Sequence, residues 1–315
     1  MSNAVVNVNG TISRPEEAKV GVFDRAYLYG DSLYEVVRSY HGVFLHMEEH
    51  LDRLEKSARL CRMVLTQTPE TYRREMYRTF AAFRKLAGMK DRDAYCRIIV
   101  SRGEGKIGFG LNCLTTPTLF SIIVQPLDPP SASQFEKGLK LRVSGRMRND
   151  RRALDPAMKS GNYLNSLLAF LECADEDFDD ALLCNADDHL TEGTTYNIGY
   201  VRNGIIATPP IDIGILDGIT RREMIAMARE NGIEVREARF PKERLYEADE
   251  VFVTSTIKEI FPVTRVDDRM IHGGKPGPLT RKLREAFQKR VAALAAQETR
   301  RLSALGPASD RELHA

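Results

Sequence analysis

A chain of 315 residues can bury a substantial core and form one large or two medium domains. Its 46 basic and 44 acidic residues leave a net charge of +2, which gives no indication of nucleic acid or an anionic membrane as a partner. No apolar run approaches the roughly 20 residues that span a bilayer, and no signal peptide is evident. Five widely spaced cysteines match no metal-ligand pattern, so we predict reduced thiols and no metal. Together these features predict a soluble, cytoplasmic protein.

The first part of the chain alternates short strands and helices. Asn9-Gly10 between two apolar runs is a two-residue hairpin signal, and the leucine spacing around Arg53 is helical. In chain order we predict a hairpin over residues 5–12, strands over 36–40 and 43–46, helices over 48–62 and 69–86, and strands over 94–101 and 119–125. Residues 1–126 are predicted to form a small N-terminal α/β domain.

A stretch rich in proline and serine, residues 127–135, is predicted to be the linker between two domains. Strands and helices alternate again beyond it: strands over 139–143, 181–184, 196–201, 205–207 and 251–254 and around Val235, and helices over 162–175, 220–230 and 279–294. We assign residues 136–296 to a larger C-terminal domain and residues 297–315 to a polar tail that is predicted to be a frayed helix with partial disorder.

Lys159 stands immediately before a Ser160-Gly161-Asn162 turn that leads into an apolar helix. A lysine held by such short backbone suits a nucleophile, since its amine attacks carbonyls once burial or a neighbouring cation favours the uncharged form. Lysines are mostly exposed, so an exposed surface lysine is the commoner reading of this residue taken alone.

Three later segments change that reading: Thr191-Glu192-Gly193, Leu216-Asp217-Gly218-Ile219-Thr220 and Thr254-Ser255-Thr256-Ile257. In order and spacing, these segments and Lys159 resemble the class-IV aminotransferases, pyridoxal-phosphate enzymes of fold type IV, over residues 6–291. The resemblance implies an α/β (α+β) fold in which two α/β domains are joined by a short linker and the active site lies between them. It also implies an aminotransferase whose substrates are an amino acid and a 2-oxo acid.

The resemblance assigns a role to each cofactor-binding residue. Lys159 would bind the aldehyde of pyridoxal 5'-phosphate and carry the α-proton, while Glu192 would keep the pyridine nitrogen protonated. Backbone N–H groups at a helix start suit the phosphate. The complete implied set is Arg53, Lys159, Tyr163, Glu192, Leu216, Gly218, Ile219, Thr220, Ser255 and Thr256. Without the resemblance, Arg53 would be read as an exposed helix charge and Glu192 as a capping carboxylate.

A second set of residues would contact the substrate. The backbone amides of Thr256 and Ile257 and the Tyr95 hydroxyl would bind the α-carboxylate, and Arg97 would receive the distal carboxylate of glutamate or 2-oxoglutarate. The complete implied set is Tyr29, Tyr34, Arg38, Tyr95, Arg97, Thr256 and Ile257. The glycine-rich loop 103–112 would reach the partner's active site in a homodimer. A salt-bridged strand residue is the structural alternative for Arg97, and half-buried strand residues are the alternative for the tyrosines.

Several functions remain open within this resemblance. Tyr95 and Arg97 favour a branched-chain aminotransferase acting on L-branched-chain or other aliphatic amino acids. The run around Tyr34 equally resembles D-amino-acid aminotransferases, yet Arg102 is not followed by the histidine expected of a D-specific carboxylate site. An amine transaminase, an aminodeoxychorismate lyase, or a non-catalytic protein that binds pyridoxal phosphate are further alternatives.

Overall fold

The computed structural model describes residues 3–174 and 176–304. They form two compact units. The first contains the chain up to Asp128, the segment Met158–Asn162 and the residues from Val291 onward, and the second contains Pro129–Ala157 and Tyr163–Arg290. The segment that carries Lys159 therefore belongs to the first unit, whereas the sequence-based ranges assigned it to the second domain.

A six-stranded antiparallel sheet in the order β2-β1-β6-β5-β3-β4 forms the first unit. Its elements in chain order are β1 (Val5–Val8), β2 (Thr11–Ser13), α1 (Arg25–Tyr29), β3 (Ser32–Tyr40), β4 (Val43–Phe44), α2 (Met47–Leu60), α3 (Pro69–Arg84), β5 (Ala94–Ser101) and β6 (Leu119–Pro126). The predicted hairpin, both long helices and the strand over 94–101 are confirmed. Helix α1 was not predicted; Asp24 caps it and Gly30 ends it in the left-handed conformation.

The core of the first unit is formed where α2 and α3 pack on one face of the sheet. Leu54 of α2 and Phe80 and Phe83 of α3 are at most 2% exposed, and they share one apolar cluster with Ile98 of β5. Burial alternates along β5, as in a strand with one covered face. The other face of β5 consequently presents Tyr95 and the residues that follow it at every second position.

The segment Met158–Asn162 is attached to the first unit through backbone hydrogen bonds with β3. The amide of Tyr34 donates to the Lys159 carbonyl at 3.0 Å, and the amide of Gly161 donates to the Ser32 carbonyl at 2.8 Å. Leu33 and Ser160 form an antiparallel bridge between these two bonds. These contacts explain why a segment from the second half of the sequence belongs to the first unit.

A nine-stranded mixed sheet forms the second unit, with the order β12-β11-β10-β13-β14-β7-β8-β9, a short β15 on β14, and β9 also paired with β10. Its elements are α4 (Ala132–Lys137), β7 (Leu139–Met147), α5 (Leu164–Ala174), β8 (Asp180–Cys184), β9 (Leu190–Gly193), β10 (Asn197–Arg202), β11 (Ile205–Thr208), α6 (Ile219–Glu230), β12 (Val235–Glu237), α7 (Glu243–Tyr246), β13 (Glu250–Ser255), β14 (Glu259–Val266), β15 (Arg269–Met270) and α8 (Pro278–Ala304).

The second half differs from the prediction at β14 and α4. Strand β14 was not predicted, because Pro262 weakens the strand signal of its run. Residues 132–135 of the predicted linker lie in α4, which Ser131 and Gln134 cap reciprocally. Helix α8 continues through 297–304, in the part of the tail where a frayed helix was expected, and Leu302 packs against the core of the first unit. The rest of that tail, residues 305–315, lies outside the described residues.

All five cysteines are free thiols. Within residues 3–174 and 176–304, no helix has the length and apolarity needed to cross a bilayer. The same residues contain no group of histidine, cysteine and carboxylate side chains arranged to hold a metal ion.

Candidate active site

Lys159 is fixed at its backbone by two different elements. Its carbonyl accepts from Tyr34 of β3, and its amide donates to the Ser57 hydroxyl of α2 at 3.1 Å. The side chain is half-buried. Because both backbone groups of Lys159 are satisfied inside the unit, the start of its flexible side chain has a defined position.

The Lys159 amine lies against Tyr34. The Nζ atom donates a hydrogen bond to the Tyr34 hydroxyl at 3.1 Å and lies 4.4 Å from the centroid of the ring. The guanidinium carbon of Arg97 lies 4.1 Å from the same centroid. Tyr34 is only 5% exposed, so one buried ring contacts two cations. Two positive charges at one site favour an anionic ligand.

Arg97 keeps an unused donor. Its Nε is buried and has no hydrogen-bond partner among the described residues. A buried guanidinium nitrogen without an acceptor is costly, which indicates that a ligand supplies the acceptor. Arg38, the other predicted substrate arginine, has a carboxylate neighbour: its Nη2 lies 3.7 Å from Asp93, and its guanidinium stacks on Tyr40 at 4.3 Å.

Arg53 is held by a buried carboxylate that sequence reasoning missed. Its Nε and Nη2 donate to the two Glu35 oxygens at 2.7 and 2.8 Å, and His50 Nδ1 lies 2.7 Å from Glu35 Oε2. Burial opposes ionisation of Glu35, yet Arg53 and His50 outweigh it and hold the pKa of Glu35 well below its ordinary value. Burial lowers the pKa of His50. This bidentate pairing sets the orientation of the Arg53 guanidinium plane.

Tyr29 connects α1 with the glycine-rich loop. The amide of Gly108 donates to the Tyr29 hydroxyl at 3.0 Å, and the Phe109 ring lies 5.2 Å from the Tyr29 ring. Arg25 donates to the Gly108 carbonyl at 2.9 Å and to Asp31 at 3.0 Å. The loop is thus attached to the helix that carries Tyr29.

In the second unit, Glu192 is 5% exposed and lies in β9. Arg148 Nε donates to Glu192 Oε1 at 3.0 Å, and the Leu216 amide donates to Oε2 at 3.0 Å. A buried carboxylate with these two donors is held in a fixed orientation. It can therefore pair with a protonated ring nitrogen.

Asn197, on β10, ties the Leu216 segment to Glu192. Its Nδ2 donates to the Leu216 carbonyl at 3.0 Å and lies 3.4 Å from Glu192 Oε2. Gly218 packs directly on the side-chain amide of Asn197, and a Cβ at Gly218 would lie 2.0 Å from Asn197 Oδ1. Any larger residue at position 218 would displace Asn197, so this position requires glycine.

The start of α6 suits a phosphate. Gly218 is its N-cap and no side chain caps the first turn, so backbone N–H groups of the Ile219-Thr220 turn remain available to an anion. Thr220 is 7% exposed and adds a hydroxyl at the same place. The donor set of a pyridoxal phosphate site is therefore present by type: an anchored amine in the first unit, and a buried carboxylate and an uncapped helix start in the second.

The remaining predicted residues of the second unit lie at element ends. Ser255 ends β13 and its hydroxyl accepts from the Lys258 amide at 3.0 Å. Thr256 and Ile257 form the half-buried turn that follows, and Tyr163 is half-buried just before α5. Leu216 is half-buried between the carboxylate it binds and the start of α6.

Sequence reasoning missed four supporting residues: Glu35, His50, Arg148 and Asn197. Glu35 could have been noticed as a carboxylate inside an apolar strand, since such a charge requires a partner. Arg148 leaves no comparable signal, because it lies 44 residues from Glu192. Asn197 lies only five residues from Glu192, but its bond to the Leu216 carbonyl spans 19 residues.

Comparison with known proteins leads to the same family as the sequence analysis. Residues 32–266 match the family described as Amino-transferase class IV. A relative from Methanocaldococcus jannaschii, whose name assigns it provisionally to the branched-chain-amino-acid aminotransferases, is 38% identical over 90% of this chain and 95% of its own. A D-alanine aminotransferase of Bacillus licheniformis is 32% identical over 90% of this chain and 95% of its own.

Solved structures extend the match to the fold. The branched-chain amino acid aminotransferase of Thermobaculum terrenum, crystallised in its PLP-bound holo-form, superimposes with a TM-score of 0.79 at 30% identity, covering 92% of this chain and 94% of that one. These matches confirm the predicted family and its α/β fold of type IV. The chain therefore belongs to the class-IV aminotransferases and is a pyridoxal-phosphate-dependent aminotransferase.

Proposed function

We propose that this aminotransferase moves the amino group between an L-branched-chain or other aliphatic amino acid and a 2-oxo acid such as 2-oxoglutarate. The observation that carries the proposal is the buried Nε of Arg97, a donor with no acceptor among the described residues, beside the half-buried Tyr95 on the same strand face. An arginine of this kind can take the distal carboxylate of glutamate, while the apolar stem of the same side chain tolerates an aliphatic substrate.

Pyridoxal 5'-phosphate would supply the electron sink for the reaction. Lys159 would hold it through its amine, and Glu192, oriented by Arg148, would hold a proton at the ring nitrogen. The uncapped start of α6, with Gly218, Ile219 and Thr220, would bind the phosphate. Arg53, Ser255 and Thr256 would complete the phosphate contacts, and Tyr163 and Leu216 would lie against the ring.

Lys159 would also carry the proton of the reaction. Its amine, once released from the cofactor, would take the proton from the substrate Cα and return it elsewhere, as a general base and then a general acid. Tyr95 and the amides of Thr256 and Ile257 would bind the α-carboxylate, and Tyr29, Tyr34 and Arg38 would complete the substrate contacts.

The geometry of Arg102 supports the L enantiomer. Its Nε donates to Asp31 at 2.7 Å, and its two terminal nitrogens donate to the carbonyls of Arg62 and Cys61, each at 2.9 Å. An arginine with all three nitrogens engaged is poorly placed to bind the α-carboxylate of a D-amino acid. D-amino-acid transamination, which a relative's name describes, remains the second candidate.

A panel of L- and D-amino acids tests this assignment through spectral conversion of the bound cofactor. We expect L-leucine, L-isoleucine, L-valine and L-glutamate to react.

Arg97→Met should lower kcat/KM for glutamate about 100-fold and change kcat/KM for leucine little, because a buried charge pair is lost for glutamate alone. The matched control is Arg74→Met, at an exposed arginine of α3. Faster conversion of D-amino acids, or equal loss for leucine and glutamate, would contradict the proposal. Release of pyruvate from aminodeoxychorismate, with no oxo acid added as amino acceptor, would favour the aminodeoxychorismate lyase.

We further propose a homodimer in which loop 103–112 reaches the partner's active site. Ile107, Phe109 and Leu111 of this loop are 75%, 81% and 66% exposed. Three large apolar side chains on one attached loop favour a protein contact. Light scattering should give twice the mass of the chain or more, and Phe109→Ser should weaken assembly and activity together. A fully active monomer would overturn the assignment.

A further inference from the structure

The hydroxyl of Tyr34 occupies an unusual place for a group expected to contact substrate. It is the acceptor for the Lys159 amine at 3.1 Å, and the residue that carries it is 5% exposed. Its strand is joined to the lysine segment by the hydrogen bond from the Tyr34 amide to the Lys159 carbonyl at 3.0 Å. One residue thus contacts Lys159 at both its backbone and the end of its side chain.

We propose that Tyr34 is a positioning residue for Lys159: its hydroxyl holds the amine whenever the amine is not bonded to the cofactor. This inference rests on the proposed role of Lys159 as proton carrier, and it gives Tyr34 a task separate from substrate contact. A lysine side chain has four rotatable bonds, so a free amine would leave its working position unless a partner held it.

A hydroxyl is suited to this task because it both donates and accepts. An Nζ–H of the amine donates to the Tyr34 oxygen at 3.1 Å, which both the charged and the uncharged amine can do. When the amine is uncharged, the Tyr34 O–H can donate to its lone pair. The contact can therefore persist while a proton arrives or leaves.

Arg97 holds the Tyr34 ring in place. Its guanidinium stacks on the Tyr34 ring at 4.1 Å, so the ring is fixed independently of Lys159. Phenylalanine would keep both ring contacts and remove only the oxygen. Tyr34→Phe therefore tests the hydroxyl separately from the ring. Tyr27→Phe, at a ring that is 76% exposed, is the matched control.

The first test uses the cofactor-free protein, so that turnover plays no part. Reductive methylation with formaldehyde and cyanoborohydride at pH 8, read by the mass of the Lys159 peptide, reports how freely this amine reacts. Because the hydrogen bond to the hydroxyl occupies the amine, which must leave it to attack formaldehyde, Tyr34→Phe should speed methylation of Lys159 roughly 2- to 10-fold. Tyr27→Phe should leave the rate unchanged. An unchanged rate in Tyr34→Phe would overturn the proposal.

The second test replaces the lysine by an added amine. In Lys159→Ala, methylamine should restore part of the activity, and adding Tyr34→Phe to this variant should raise the apparent KM for methylamine about 10-fold with a smaller change in kcat. An equal KM in the single and double variants would contradict the role of Tyr34. Full activity of Lys159→Ala without amine would instead refute the proposed function, and if no amine restores turnover, the methylation rate decides.

Discussion

Lys159→Ala should lower the rate of transamination by on the order of 10⁴-fold, the largest effect expected of any single change in this chain. The substitution removes the amine that would hold the cofactor and carry the α-proton, while the backbone contacts to Tyr34 and Ser57 do not depend on the side chain. The fold should therefore be retained. Single-turnover kinetics with L-leucine measures the loss.

Borohydride treatment supplies an independent measurement on the same variant. In the wild-type protein, reduction should fix pyridoxal phosphate onto the peptide that contains Lys159, and the alanine variant should show no labelled peptide. Lys56→Ala, at an exposed lysine of α2, is the control and should label and react normally. Labelling at another lysine, or a colourless variant that still transaminates, would refute the assignment.

Glu35→Ala should lower the free energy of unfolding by about 3–5 kcal/mol, because it leaves Arg53 and His50 buried without their shared carboxylate. It should also weaken cofactor binding, since the orientation of Arg53 is lost. Urea unfolding at pH 7.5 measures the first effect. The control Glu55→Ala removes a carboxylate from a more exposed ion pair of α2 and should cost at most about 1 kcal/mol.

The same carboxylate gives stability a defined pH dependence. Since the folded-state pKa of Glu35 is lowered, its contribution is fully present above the unfolded value of 4.5 and is lost as the pH falls below it. His50 acts in the same direction, because its folded pKa is lowered and protonation below 6.5 favours the unfolded chain. Wild-type stability should fall on acidification, and the Glu35 component should be missing in Glu35→Ala. Parallel pH profiles for the two proteins would contradict this.

Much of the fold could be predicted because local patterns agree with it. The period-two apolar pattern of β5 and the turn Asn9-Gly10 identify their elements directly. Strand β14 was not predicted because Pro262 obscures its pattern. This error arises where tertiary contacts decide what local sequence does not.

The candidate site could likewise be predicted only in part. Lys159 and Glu192 were proposed from sequence motifs, but Glu35 and Arg148 act through contacts with side chains of other elements. The hydrogen bond from Lys159 to Tyr34 joins residues 125 positions apart, and the one from Arg148 to Glu192 joins residues 44 apart. A single sequence carries no signal for such pairs, so the residues that orient the site emerge only from the folded chain.

The backbone pairing of Met158–Asn162 with β3 also sets the order in which the enzyme is completed during synthesis. The ribosome must release Pro129–Ala157 before Lys159 can join a sheet whose strands were made much earlier. A translation product that stops at Asp128 would contain the strands of that sheet without Lys159. A split enzyme, reconstituted with a peptide that supplies only this short segment, is the corresponding engineering opportunity.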